Sequence, residues 1–96
     1  MEVRVLDIRV LPGNKATRAF ADLEIDGISI KDFRVYQTNG RPSVRNPFTA
    51  YKNAEGNLLF REIISLPPKV QAEVNAIILS EFFRRLKEKA DAGSTD

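Results

Sequence analysis

From Pro68 to about Ala90, apolar residues recur at a spacing that a helix can use and a strand cannot. Val70, Val74, Ile78, Phe82 and Leu86 fall at every fourth position, along one helix face, and Ile77, Leu79 and Phe83 widen that stripe. Arg84, Arg85, Lys87 and Lys89 crowd the final turns. A stripe of this width must be laid against another layer, and the preceding residues read as short strands and turns that can supply it.

Val3 and Val5, then Leu6, Ile8 and Val10, alternate with Arg4, Asp7 and Arg9, the pattern of a half-buried strand. The phase slips between Val5 and Leu6, which predicts a bulge or a change of partner. After a turn at Pro12-Gly13-Asn14, Ala19, Ala21, Leu23 and Ile25 alternate with Arg18, Phe20, Asp22 and Glu24 as a second strand. Asp26-Gly27 is the pair a type I′ hairpin turn needs, because both central residues must accept positive φ. A third strand begins at Ile28 and Ile30, and Phe33 and Val35 continue it one register out of phase. Asn39-Gly40 marks another turn.

Val44 to Phe48 predicts a short edge strand, since Pro42 and Pro47 each remove a ladder donor. A polar tip at 52–57 and a fifth strand over Leu58 to Ile64 follow. Leu66-Pro67-Pro68 ends that strand, and Pro68 suits the first turn of the helix. The expected fold is α+β: an antiparallel β-meander of four to five strands followed by one long C-terminal helix. A single domain over 1–90 and a disordered polar tail at 91–96 complete it. About 23 helical residues would span roughly 35 Å and strands of six to eight residues only about 20–27 Å, so the cationic helix end is expected to overhang the sheet or to meet a second subunit.

The residue inventory excludes most chemistry. The 96 residues contain neither cysteine nor histidine, so disulfides, thiolate catalysis and imidazole ligation are absent. Asp22, Glu24 and Asp26 alternate on one strand, but without histidine or further carboxylates they read as a solvated face rather than a metal or acid–base cluster. No catalytic residue, metal site, cofactor or small-molecule substrate is expected, and the chain is not read as an enzyme. No apolar run approaches the roughly 20 residues of a membrane helix, and the opening Met-Glu-Val-Arg-Val lacks a signal-peptide core. A cytoplasmic protein without a membrane partner is the expectation.

Net charge is only +2, but it is unevenly spread. Residues 34–61 carry Arg34, Arg41, Arg45, Lys52 and Arg61 against Glu55 alone, a net +4, and residues 84–89 carry a net +3. Arg41, Arg45, Lys52 and Arg61 would line a groove that tracks phosphates, releasing counterions as they neutralise them. Arg84, Arg85 and Lys87 would add a second cluster, although cations there also complement the helix dipole. Phe48 and Tyr51 flank the first cluster and would either stack on unpaired bases or pack in a core or dimer contact. Phe20, on the otherwise polar face of the second strand, and Tyr36, at the end of the third, are either ordinary exposed aromatics or anchors of a subunit interface. Phe82 and Phe83 are about 100° apart on the helix, so one enters the core and the other is free to reach a partner.

Phe33-Arg34-Val35, Pro47, Gly56 and Phe60-Arg61-Glu62-Ile63, together with Leu79-Ser80-Glu81-Phe82-Phe83-Arg84-Arg85-Leu86 and the opening Met1-Glu2-Val3, resemble in order the SpoVG family of bacterial septation and sporulation regulators. The resemblance covers about residues 1–86. It implies a five-stranded antiparallel sheet with a C-terminal helix, a homodimer, and site-selective DNA or RNA binding in regulation, with Arg84 at a family position. The family's Met-Pro-Ser-Lys-Arg segment is replaced here by Asn46-Pro47-Phe48-Thr49-Ala50-Tyr51-Lys52, so an adjacent Lys-Arg pair is lost. Ser65 or Leu66 stands where the family has a histidine. The resulting expectation is a homodimeric, cytoplasmic nucleic-acid-binding regulator of DNA or RNA. The rival is a protein-interaction module whose cations only solubilise it.

Overall fold

A computed structural model describes residues 1–13 and 15–94. Strands β1 (Val3–Val10), β2 (Thr17–Ile25), β3 (Ile28–Tyr36) and β4 (Ser43–Arg45) form an antiparallel sheet in chain order. Strands β5 (Phe48–Lys52) and β6 (Leu58–Glu62) form a separate two-stranded ribbon, and helix α1 (Pro68–Ser94) follows. The architecture is the expected α+β meander and single C-terminal helix, with six strands rather than four or five. The segment expected as one strand from Val44 to Phe48 divides at Asn46-Pro47, where Asn46 turns inward and is buried. Proline has no N–H to extend a ladder there. The polar tail expected at 91–96 falls partly within α1, and its last two residues lie outside the described residues, as does Asn14 of the first turn.

Local chemistry sets the register. The β1–β2 ladder shifts between Val5 and Asp7, so Leu6 is the extra residue of a bulge and points outward, half exposed. Asp26 (φ 48°) and Gly27 (φ 86°) form the tight turn between β2 and β3. A second shift between Ala21 and Leu23 coincides with Asp32 at φ 70°, and this explains why Phe33 and Val35 run out of phase with Ile28 and Ile30. Aspartate tolerates the left-handed region better than most residues. Its N–H donates to Asp22 Oδ1 at 3.2 Å.

Strand β2 is central, and its inward residues Ala19, Ala21 and Leu23 are fully buried beneath α1. The two alanines leave space for the large side chains that interlock above them: Phe33 and Val35 from β3, and Val74, Ile78 and Phe82 from the helix. Fully burying one such aliphatic or aromatic side chain contributes about 1.5–3 kcal/mol. Phe82 therefore joins the core while Phe83 stays 51% exposed. The Pro67 carbonyl accepts the Gln71 N–H at 2.8 Å, which makes Pro67 the capping residue and Pro68 the first helical one.

Leu86 still packs against this core, and Arg85, Glu88 and Lys89 line a hollow with Ile8 and Val10. The cationic turns are thus docked beside β1 rather than overhanging the sheet. It is the β5–β6 ribbon that projects. Its ladder is not continuous with that of the larger sheet. The molecule measures 55 × 35 × 21 Å with a radius of gyration of 15.1 Å, where a compact chain of this length has about 13 Å.

Candidate nucleic-acid interface

The sheet has one face under α1 and one open face, and alternation assigns every outward residue to the second. Register then places Arg9, Phe20, Arg34 and Arg45 side by side across β1, β2, β3 and β4. Phe20 lies between two arginines in that row because Ala19 and Ala21, its neighbours in β2, turn inward. The guanidinium of Arg34 sits 5.0 Å from the Phe20 ring centroid and 4.3 Å from that of Phe48, held between the sheet and the first residue of the ribbon. Phe48 in turn meets Phe60 edge-on, with ring centroids 5.6 Å apart and planes at 83°. Arg45 lies 5.3 Å from the Tyr36 ring and 5.8 Å from that of Phe48.

The result is one surface on which the Arg34 guanidinium lies between the Phe20 and Phe48 rings and Phe60 extends the series. On the other side of the ribbon, Arg61 stands 5.7 Å from the Tyr51 ring. The β5–β6 register puts Phe48, Ala50, Lys52, Leu58, Phe60 and Glu62 on one ribbon face and Thr49, Tyr51, Leu59 and Arg61 on the other. Glu62 lines a hollow of about 240 Å³ with Arg45, Asn46, Phe48 and Phe60. Burial opposes ionisation of the Tyr36 phenol, but its hydrogen bond with Thr17 and the charges of Arg34 and Arg45 outweigh that and hold it below the usual tyrosine range.

Ion pairing divides the cations into two classes. Among the described residues, Arg4, Arg9, Arg84 and Arg85 have carboxylates in contact. Arg4 bonds Glu24, while Arg9 bonds Asp7 at 2.6 Å and Asp22 at 3.0 Å. The Arg4–Glu24 pair lies near the Asp26-Gly27 turn, and the Arg9 pairs sit on β1 and β2 at the β1 end of the row, whereas Arg34 and Arg45 at its β4 side face aromatic rings. The carboxylates examined as a metal or acid–base cluster are each engaged differently: Asp22 by Arg9, Glu24 by Arg4, and Asp26 by the Glu2 N–H at 2.7 Å. No group of three or more acidic side chains is arranged to hold a metal among the described residues.

The seven cations singled out from the sequence therefore do not share one site. Arg45 and Arg61 belong to the aromatic surface and its ribbon, with Lys52 at the ribbon's tip. Arg41 lies elsewhere, lining a hollow of about 400 Å³ with Pro42, Leu79 and Phe83. Arg84 is bonded to Glu81 and Glu88, and Arg85 Nε lies 3.3 Å from Glu81, all on the layer opposite the open face. Hydrogen bonding by Arg84, and then by Arg85, holds the Glu81 carboxyl below the usual range despite some burial. Lys87 shares that helix end. Sequence reasoning had not placed Arg34 in the site, though it stands at its centre. The outward phase of β3 carried the signal, but its alignment with Phe20 depends on the bulge at Asp32.

A polar clamp holds this arrangement in place. Asn46 Nδ2 donates to Gln71 Oε1 at 2.6 Å, Gln71 Nε2 donates to Asn46 Oδ1 at 2.9 Å and to Asn75 Oδ1 at 2.8 Å. The Ile63 N–H donates to the Pro47 carbonyl at 2.9 Å and closes the root of the ribbon. The helix thereby fixes the point from which β5 and β6 leave the body. No helix among the described residues is long and apolar enough to cross a membrane. No family model matches the chain, and no curated protein matches it.

Proposed function

We propose that this chain is a non-enzymatic, cytoplasmic nucleic-acid-binding regulator that engages its polyanion with the open face of the sheet and the β5–β6 ribbon. One observation carries the reading: Arg34 and Arg45 lie against Phe20, Tyr36 and Phe48, and Arg61 lies against Tyr51 on the far face of the ribbon, while none of the three has a carboxylate in ion-pair contact among the described residues. A guanidinium held against a ring keeps its full charge and outward N–H groups, and much of its side-chain freedom is already spent before a ligand arrives. Phosphate contacts would supply most of the affinity, with few base-edge contacts and modest selectivity. The acidic group beside the β1 side of the row, with Asp7, Asp22 and Asp32 around Arg9, would limit the footprint there by repelling phosphate.

The resemblance to the SpoVG family points the same way, and septation- or sporulation-type control is the process it suggests. Within this reading the helix-end set of Arg84, Arg85 and Lys87 is secondary, because its arginines are already neutralised locally. Self-association as a homodimer is part of the proposal. It is supported by the exposed Phe83 beside Leu79 and Pro42, on the flank of α1 away from the aromatic row. The test is an anisotropy titration of mixed DNA and RNA oligonucleotides at about 50 and 200 mM salt. Salt-sensitive binding that weakens in an Arg34→Gln/Arg45→Gln/Arg61→Gln variant is expected. A folded protein that retains no nucleic acid at low salt would instead point to a protein-interaction module.

A further inference from the structure

We infer that the nucleic acid taken by this surface is single-stranded, with unpaired bases stacking on the ring of Phe60 and continuing the row Phe20, Arg34, Phe48. The inference rests on the nucleic-acid reading above and specifies its ligand. Phe60 is 63% exposed on a ribbon that stands away from the body. Its one aromatic contact is edge-on to Phe48, which leaves a ring face open. An exposed ring face near Arg34 and Arg45, which have no ion-pair contact among the described residues, fits a ligand with both a flat apolar surface and negative charge. Unpaired nucleotides have both, whereas a duplex buries its base faces inside the stack.

The ribbon also argues against reading duplex grooves. A two-stranded ribbon can enter a major groove, but there it needs side chains that donate to or accept from base edges. On the ribbon face that continues the open sheet, Ala50, Leu58 and Phe60 offer neither, and the polar residues there are Lys52 and Glu62. The other element able to fill a groove, α1, has its apolar stripe in the core and its terminal arginines paired with Glu81 and Glu88. Stacking needs only a π-face, which every base has, so this mode is tolerant of sequence.

The decisive probes are three labelled oligonucleotides of equal length, titrated by anisotropy: oligo-dT, its abasic counterpart, and a blunt duplex. Abasic strands keep the phosphates and lose the stacking faces. Oligo-dT should bind at least about 10-fold more tightly than the abasic strand, and more tightly than the duplex. Phe60→Ala should weaken oligo-dT about 5- to 100-fold and leave abasic binding unchanged. Phe60→Trp should retain the preference and Phe60→Leu should lose it, because a leucine preserves apolar area without a ring. Equal, salt-sensitive binding of oligo-dT and abasic strand would overturn the inference while leaving the polyanion reading standing. So would a tighter duplex. So would a Phe60→Ala variant that turns an oligomer into a monomer with its dT preference intact, since the ring would then belong to an interface between copies. Binding to none of the three probes at low salt would overturn both readings.

Discussion

Asn46 and Gln71 exchange two side-chain amide hydrogen bonds, at 2.6 and 2.9 Å, between the corner preceding the ribbon and the first turn of the helix. Asn46 is the one buried polar side chain found among the described residues. The pair links two segments 25 residues apart in sequence and leaves neither amide wanting a partner. Gln71→Ala strands the buried Asn46 amide, and the expected cost is about 1–3 kcal/mol. Asn46→Leu/Gln71→Leu removes both partners together and should recover part of that loss. Urea denaturation of the two variants against wild type checks it, with the non-additivity as the diagnostic.

Adjacent phenylalanines provide an internal control for packing. Phe82 is fully buried and Phe83 is not, although their rings lie 5.7 Å apart. Phe82→Ala should lower stability by about 3–5 kcal/mol, enough to threaten the fold of so small a chain. Phe83→Ser should stay within about 0.5 kcal/mol for the monomer and reduce self-association. Chemical denaturation measures the first effect, and light scattering at several concentrations measures the second.

Acid should expose the Arg9 pairings. Hydrogen bonding from Arg9 holds the Asp22 carboxyl below its ordinary value, outweighing partial burial, with help from the Asp32 N–H. A carboxylate whose folded-state pKa is depressed binds protons more readily when unfolded, so its stabilisation is complete above the unfolded pKa, about 3.9. It is then lost as pH falls through the lower, folded value. The urea midpoint should therefore drop as pH falls below the ordinary carboxylate range, and Asp22→Asn should flatten that drop. An unaltered pH profile in the variant would remove Asp22 from the explanation.

Two sets of cations can be separated by salt. Removing Arg45 and Arg61 should lower the slope of log K against log salt by about 1.4 on single strands, at about 0.7 per phosphate contact. Removing Arg84, Arg85 and Lys87 should change it less, because Glu81 and Glu88 already neutralise much of that charge. The reverse ranking, measured on folded variants, would move the interface to the helix end.

The phenol of Tyr36 reports on the same surface without any ligand. A tyrosine transition below the usual range should appear in ultraviolet titration, vanish in Tyr36→Phe and move upward in Arg34→Gln, since the Arg34 charge is among its causes.

Much of the fold was written in local patterns. The Val70-to-Leu86 stripe, the Asp26-Gly27 turn and the slip after Val5 each reappear in the coordinates, because each is fixed by neighbours in the chain. Pro47 gave a local hint that the expected fourth strand would be interrupted, but the inward turn of Asn46 was not visible locally. The buried Asn46 amide is satisfied by Gln71, and a partner 25 residues away leaves no mark on the spacing around Asn46. The aromatic row was hidden for a similar reason: bulges at Leu6 and near Asp32 decide which outward residues become neighbours, and no single strand contains the answer. Pairing at the helix end was the missed clue that the sequence did carry. Glu81 lies three and four residues before Arg84 and Arg85, and Glu88 four after Arg84, the separations at which helical side chains meet.

The β5–β6 ladder ends without joining that of the larger sheet, so the outer part of the arm is held by its own ladder alone. Amides along the arm should exchange with solvent on their own, shorter clock while those of β2 stay protected. Substitutions along the arm then need not be tolerated by the core, and its residues are free to diverge faster than the domain that carries them.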